Sequence, residues 1–128
     1  MPAVTDLTPR VVVLIEDNCD HAAALIAVLE LEGYRTHCAP NGAEGLQRVE
    51  ELMPQLILLD FTLPDMSGAD VGKVLRSAQR TSGIPIVMES GMPEWVVRNS
   101  FADYDAFLSK PVDLARMLAV MTKLTVTT

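Results

Sequence analysis

Five short apolar runs, separated by segments long enough to hold a helix, are the feature that most restricts how this chain can fold. The runs are Val11 to Ile15, Tyr34 to Cys38, Leu56 to Leu59, Ile84 to Met88 and Ala106 to Leu108. The first of them, VVVLI, is rich in β-branched residues and has no polar alternation, which is typical of a strand buried on both faces. Parallel strands need helical crossovers, so the pattern predicts an α/β fold: a five-stranded parallel sheet with five helices covering both faces.

The segments between the runs carry the signals expected of helices and turns. Apolar residues recur with helical spacing at Val71, Val74, Leu75 and Ala78, and again at Leu114, Met117, Leu118 and Met121. The stretch from Ala22 to Leu31 is apolar almost throughout, so we expect the first helix to be the most buried. Gly33 marks the end of that helix, and turns are predicted at 40–42 and 82–83.

Length and charge exclude several classes of protein. A chain of 128 residues is of one-domain size. A net charge of −7 argues against contact with a nucleic-acid backbone, which relies on clustered positive charge. The longest apolar run, Ala22 to Leu29, is shorter than the about 18 residues that a membrane span needs. The N-terminus has no signal-peptide pattern and the two cysteines have no metal or redox spacing, so we expect a cytoplasmic protein without a membrane segment.

Polar residues collect at the predicted carboxyl ends of the strands. The first strand ends in Glu16 and Asp17, the third in Asp60, the fourth in Ser90, and the fifth is followed by Lys110. Ligand sites of open parallel sheets lie at this edge, where the strand order reverses. If these four strands are neighbours, three carboxylates, a hydroxyl and an amine converge on one pocket.

The chemistry of such a pocket points to phosphoryl transfer. Three adjacent carboxylates raise one another's pKa, and a hard divalent cation such as Mg²⁺ (or Mn²⁺) would offset their charge. A carboxylate such as that of Asp60 can accept a phosphoryl group and form an acyl phosphate. The metal and Lys110 would then stabilise the transferring oxygens, and the Ser90 hydroxyl could bond to the phosphoryl group on arrival.

At these residues the chain resembles the receiver domain of two-component response regulators, of the chemotaxis-regulator type, over essentially its full length. The acidic pair after the first strand and the segment LLDFTLPDMSG, residues 58–68, are similar to that family's metal-binding and phosphoacceptor motifs. The remaining matches are Ser90, which resembles the family's Thr/Ser switch, and the aromatic, lysine and proline of Phe107, Lys110 and Pro111.

The resemblance implies a fold and a set of roles. The fold would be flavodoxin-like and doubly wound, with strand order 2-1-3-4-5, and residues 1–128 would form a single receiver domain with an ordered core of about 10–124. Mg²⁺ would be held by Asp17, Asp60 and the backbone carbonyl of Thr62, with Glu16 acting through water. Ser90 and Phe107 would form the conformational switch.

The resemblance also implies partners. A histidine kinase or a histidine phosphotransfer protein would donate the phosphoryl group. A downstream protein would bind the face made by the fourth helix, the fifth strand and the fifth helix. The chain ends soon after Leu124, so the signal is expected to leave by protein contact. The protein would be a signalling phosphoacceptor with only self-phosphorylation and slow self-dephosphorylation, and not an enzyme.

Some residues depart from the family pattern, and two alternative functions have to be weighed against it. Glu89 lies beside the switch position, where the family has an apolar or small residue, and the segment 93–101 has room for only a short fourth helix. A degenerate receiver that acts as a phosphorylation-independent interaction module is therefore the alternative function. An aspartate-nucleophile phosphatase is disfavoured because Thr62 stands where its acid/base carboxylate belongs.

Two further interpretations concern individual side chains. Trp95, Val96 and Val97 are consecutive and cannot all face inward on a helix. His21 and His37 have no partner pattern, so we interpret them as surface or satisfied core residues rather than phosphohistidines.

Overall fold

The computed structural model describes residues 10–125, in which strands and helices alternate along the chain. The strands are β1 (Arg10–Ile15), β2 (Tyr34–Ala39), β3 (Leu56–Asp60), β4 (Ile86–Ser90) and β5 (Ala106–Ser109). The helices are α1 (Cys19–Leu31), α2 (Gly42–Leu52), α3 (Gly68–Ser77), α4 (Glu94–Ser100) and α5 (Leu114–Thr125). The chain's first nine residues, on which the signal-peptide expectation rests, and its last three lie outside the described residues.

The five strands form one parallel sheet in the order β2-β1-β3-β4-β5. This confirms the predicted doubly wound α/β fold. The strand order reverses between β1 and β3, so a crevice at the carboxyl edge is expected beside these two strands.

Each face of the sheet has its own apolar core. On one face, side chains such as Val13, Ile57 and Met88 pack with residues of α2, α3 and α4. On the other face, side chains such as Leu14 and Leu58 pack with residues of α1 and α5. Successive residues of a strand point to opposite faces, so the continuous apolar runs supply both cores.

The prediction that α1 is the most buried helix is wrong. Of its 13 residues only Ala22, Leu25 and Leu29 are buried, and Leu31 is 86% exposed. A helix laid on one face of a sheet has an outer side in water, and the alanines of this stretch occupy much of that side at little cost. Within residues 10–125, no helix is long and apolar enough to span a membrane.

Other predicted boundaries and core positions also need correction. β4 begins at Ile86 rather than at residue 84, since Pro85 has no N–H for a strand ladder. Val74 is 49% exposed, and α3 ends before Ala78, which is its C-cap. Leu114, at the start of α5, is 40% exposed. Helical spacing identified these two helices but not the limits of their buried faces.

The predicted helix end and the short fourth helix agree with the structure. Gly33 has φ +93°, a left-handed conformation that glycine adopts without strain. Helix α4 has only seven residues. Trp95 is 69% exposed while Val97 is buried. This agrees with the expectation that residues 95–97 cannot all face inward on a helix.

The loop after β3 is attached to the start of α2 through one side chain. The backbone N–H groups of Gly42 and Ala43 donate to the two carboxylate oxygens of Asp65, over 2.8 and 2.9 Å. These hydrogen bonds lower the pKa of Asp65. The contact also satisfies two N–H groups that a helix start leaves without intrahelical partners.

We therefore expect Asp65→Asn to destabilise the protein near neutral pH. A carboxyl whose pKa is lower in the folded state contributes stability above its unfolded pKa, and loses it as pH falls through the folded pKa. The difference in unfolding free energy between wild type and variant should thus shrink on acidification. Urea titrations at several pH values measure it, with Glu51→Gln, an exposed acid on the same helix, as control. A difference that is independent of pH would contradict the electrostatic cause.

Candidate functional site

Three carboxylates from two strand ends meet at the carboxyl edge of the sheet. Ligand oxygens of Glu16, Asp17 and Asp60 all lie within 4.8 Å of one another. Glu16 and Asp60 are buried, with 2% and 3% exposure, whereas Asp17 is exposed. The group is therefore accessible from solvent on the Asp17 side and closed by protein behind Asp60.

Lys110 brings a positive charge to these carboxylates. Its Nζ donates to Asp60 Oδ2 over 2.8 Å and to Glu16 Oε1 over 3.4 Å. Its backbone N–H donates to the carbonyl oxygen of Ser90, and its peptide bond to Pro111 is cis. Burial by itself would lower the pKa of Lys110, but the hydrogen bond to Asp60 and the nearby glutamates raise it overall. The ammonium group is thus held in its charged form.

Burial raises the pKa of Asp60 above its ordinary value. The hydrogen bonds from Lys110 Nζ and from the Thr62 backbone N–H, at 3.1 Å, oppose this rise but do not cancel it, and Glu16 adds to it. One lysine therefore does not neutralise the cluster. A further cation would favour the ionised form of Asp60, which is the form that can act as a nucleophile.

Ser90 and Phe107, the two expected switch residues, are buried, at 1% and 9% exposure. The hydroxyl of Ser90 accepts a hydrogen bond from the Met92 backbone N–H over 2.9 Å. The ring of Phe107 packs against Tyr104, with centroids 6.0 Å apart. Among the residues described, neither Ser90 nor Phe107 makes a hydrogen bond to the Asp60 carboxylate. Ser90 thus has its hydroxyl engaged by the loop that follows β4, Phe107 belongs to the apolar core that packs with α2, α3 and α4, and their role as a switch stays a prediction.

Close backbone packing fixes the loop that follows Asp60. Gly68 N–H donates to the carbonyl oxygen of Phe61 over 2.7 Å. A Cβ on Gly68 would overlap the carbonyl oxygen of Asp60 and come within 2.7 Å of Phe61 Cα. A capping box between Ser67 and Asp70 starts α3 at this point. Only glycine allows the loop to fold back this close to the phosphoacceptor candidate.

Gly68→Ala should therefore destabilise the protein by about 2 kcal/mol, because the added methyl group meets backbone that cannot move freely. Urea unfolding followed by circular dichroism measures the loss. The matched control is Gly83→Ala, where an added Cβ meets nothing within 4 Å, and we expect a change within about 0.5 kcal/mol there. Equal effects of the two substitutions would contradict the packing explanation.

The sequence interpretation missed the environment of His21 and Glu89. His21 Nε2 lies 3.2 Å from Glu89 Oε1 and 3.5 Å from Glu16 Oε1. Glu89 is completely buried, and this burial raises its pKa. In the sheet register Glu89 is the partner of Asp60, so both side chains face the same side of the sheet. Strand alternation was the signal that could have placed Glu89 beside the carboxylates.

Comparison with known proteins identifies the family. The response regulator receiver domain family matches residues 12–122. The chain belongs to this family. It is 36% identical over 110 residues to the DNA-binding response regulator MtrA of Mycobacterium leprae, a match that covers 84% of this chain and 48% of MtrA. It is also 31% identical over 112 residues to the polar-differentiation response regulator DivK of Brucella anthropi, covering 86% of this chain and 91% of DivK.

Solved receiver structures share the fold. The receiver domain of the sensor histidine kinase PA1611 from Pseudomonas aeruginosa superposes with a TM-score of 0.85 at 22% identity, and covers 92% of this chain and 98% of that one. The chain spans about half the length of the MtrA relatives that it matches. The receiver family of two-component systems is thereby established for residues 12–122.

Proposed function

We propose that this receiver domain is a phosphoacceptor in a two-component system or phosphorelay, with Asp60 as the residue that is phosphorylated. The observation that carries the proposal is the 2.8 Å contact between Lys110 Nζ and Asp60 Oδ2, beside the acidic pair Glu16 and Asp17. A buried carboxylate paired with a lysine at the edge of a parallel sheet suits a group that receives a phosphoryl unit.

The chemical step is a displacement at phosphorus. A carboxylate oxygen of Asp60 attacks the phosphohistidine of a histidine kinase or a histidine phosphotransfer protein. The new P–O bond forms as the P–N bond breaks, and the departing imidazole takes up a proton. Lys110 Nζ, already beside Asp60 Oδ2, is positioned to stabilise charge on the transferred phosphoryl oxygens. Later hydrolysis of the acyl phosphate by water returns Asp60, so the domain undergoes slow self-dephosphorylation without turning over an external substrate.

The residues present fit a divalent cation. Glu16, Asp17 and Asp60 offer oxygens within 4.8 Å of one another, and oxygen ligands together with water are what Mg²⁺ or Mn²⁺ prefers. Asp17, Asp60 and the Thr62 carbonyl would hold the ion, with Glu16 acting through water. When bound, the ion supplies positive charge to the phosphoryl oxygens. The PA1611 receiver holds a magnesium ion in its active site cleft.

Phosphorylation would be read through the face made by α4, β5 and α5. Ser90 would leave the Met92 N–H for the phosphoryl group, and the Phe107 ring, which is already packed against Tyr104, would shift with it. α4 has seven residues and carries the exposed Trp95, so a downstream protein would find a small apolar contact there. We assign the role to one receiver domain within 1–128, with an ordered core of about 10–124, acting in the cytoplasm without direct contact to nucleic acid or membrane.

Asp60→Asn should abolish phosphorylation. Wild type incubated with acetyl phosphate and Mg²⁺ should gain the mass of one phosphoryl group, because the carboxylate attacks phosphorus and an amide does not. Intact-mass spectrometry measures the gain. The matched control is Asp20→Asn, an exposed acid in the first turn of α1, which should be modified normally. Unchanged modification of Asp60→Asn would contradict the assignment.

Trp95 offers a direct readout of the proposed switch, because it is the only tryptophan and lies on α4. Adding beryllofluoride with Mg²⁺ should change Trp95 fluorescence in wild type and leave Asp60→Asn unchanged. Ser90→Ala should still be phosphorylated by acetyl phosphate but show a clearly smaller fluorescence change, since the hydroxyl that follows the phosphoryl group is gone. A Trp95 fluorescence change as large in Ser90→Ala as in wild type would show that Ser90 is not part of the switch.

A degenerate receiver that binds its partner regardless of phosphorylation is the second candidate, and Glu89 is the observation that favours it. A fully buried extra carboxylate, next to Asp60 in the sheet register, adds negative charge where a phosphoryl group would arrive. This candidate predicts negligible Mg²⁺ affinity and equal partner binding by wild type and Asp60→Ala. Phosphoacceptor function predicts Mg²⁺ binding that Asp17→Asn weakens.

A further inference from the structure

A second cluster of ligand atoms adjoins the phosphoacceptor candidate. It joins three elements: Glu16 after β1, His21 in the first turn of α1, and Glu89 near the end of β4. The ligand atoms of these three side chains lie within 4.8 Å of one another. The cluster shares only Glu16 with the group formed by Asp17 and Asp60.

The Glu89 side chain is an independent sign that the cluster lacks a partner. It has 0% exposure, one carboxylate oxygen faces His21, and the other, Oε2, has no hydrogen-bond partner among residues 10–125. Leaving a buried carboxylate oxygen unpaired is costly, and a bound ion is one of the recognised explanations.

The excess of negative charge around Glu89 also indicates a missing cation. Glu16, Asp60 and Glu89 are all buried, and Asp17 lies beside them. Within the described part of the chain, Lys110 is the only permanent cation that forms an ion pair with any of these carboxylates, and its closest contact is to Asp60. Even with a divalent ion between Asp17 and Asp60, the only ion pair of Glu89 among residues 10–125 is the one with His21, and it is charged only when the imidazole is protonated.

The donor set is the one that a transition ion prefers. Zn²⁺ is bound by imidazole nitrogen and carboxylate oxygen at bond lengths that place neighbouring ligands about 3.3 to 3.6 Å apart in a tetrahedral site. His21 Nε2 lies 3.2 Å from Glu89 Oε1 and 3.5 Å from Glu16 Oε1, which is close to that spacing, and the ligand oxygens of the two glutamates lie within 4.8 Å of each other. Mg²⁺ prefers oxygen ligands throughout and would gain little from the imidazole.

The cluster is also reachable from solvent. His21 is 25% exposed and lines a groove of about 400 Å³, together with Asn18, Lys110 and Val112, between α1 and the segment that follows β5. Water in this groove could complete the coordination shell, because a site with three protein ligands keeps a fourth position open.

We propose that Glu16, His21 and Glu89 form a second cation site, selective for a borderline transition ion of the Zn²⁺ type over Mg²⁺. The inference does not rest on the proposed phosphorylation, since His21 and Glu89 lie outside the phosphoacceptor cluster and only Glu16 is common to both. An ion in this second site neutralises Glu89 and places a positive charge next to Glu16.

The test is calorimetric titration of the full chain with Zn²⁺ alone, repeated with Co²⁺, whose visible absorption reports nitrogen and oxygen ligation. Wild type and Asp17→Asn should bind one ion with similar affinity. His21→Gln and Glu89→Gln should each weaken binding by more than about 10-fold, the loss that even outer-shell partners of a metal cause. Glu89→Gln keeps the shape of the side chain, and thermal unfolding of every variant verifies that it is folded.

The matched control is His37→Gln, on β2, which should bind Zn²⁺ like wild type. The proposal is overturned if Asp17→Asn loses the ion while His21→Gln keeps it, because the ion then lies in the phosphoacceptor cluster. It is equally overturned if His37→Gln weakens binding as much as His21→Gln does, or if wild type binds no Zn²⁺.

Discussion

The ion pair between Asp60 and Lys110 is the interaction on which the site depends. The two residues are 50 positions apart in the chain, and their side chains meet at 2.8 Å. Asp60 ends β3 and Lys110 follows β5, with β4 lying between those strands. The contact therefore exists only after both helical crossovers have placed the three strands side by side. The proposed chemistry belongs to an edge of the sheet and to no single segment.

Strand alternation decides which charges share that edge. Leu58 and Val87 face α1 and α5, and counting on by two reaches Asp60 and Glu89 on the same side. The same count from Leu14 leads to Glu16, and from Leu108 to Lys110. One rule of backbone geometry thus lines up three carboxylates and one lysine in a row across the sheet. Ser90, one residue further along β4, follows the opposite alternation, which fits its hydrogen bond to Met92 rather than to Asp60.

The sheet was predictable because buried parallel strands read as apolar runs and their ends carry the polar residues. The positions of Asp60 and Lys110 followed directly from that pattern. The packing of α1 did not, because an alanine-rich helix gives little sign of which side is buried. The contact of His21 with Glu89 depends on the rotation of α1 about its axis, and the Asp65 bonds to the start of α2 depend on a loop conformation. Neither is encoded in residue spacing.

Glu89 adds a third carboxylate to the surroundings of Lys110. Its charge helps to raise the pKa of Lys110, the same lysine that contacts Asp60 and Glu16. An uncharged residue at position 89 would leave Lys110 with two neighbouring carboxylates instead of three. Whatever neutralises Glu89, whether a proton, the His21 imidazolium or an ion, therefore weakens the hold of the surrounding acids on Lys110. The His21–Glu89 contact therefore belongs to the electrostatic environment of Lys110 as well as to the packing of α1 on the sheet.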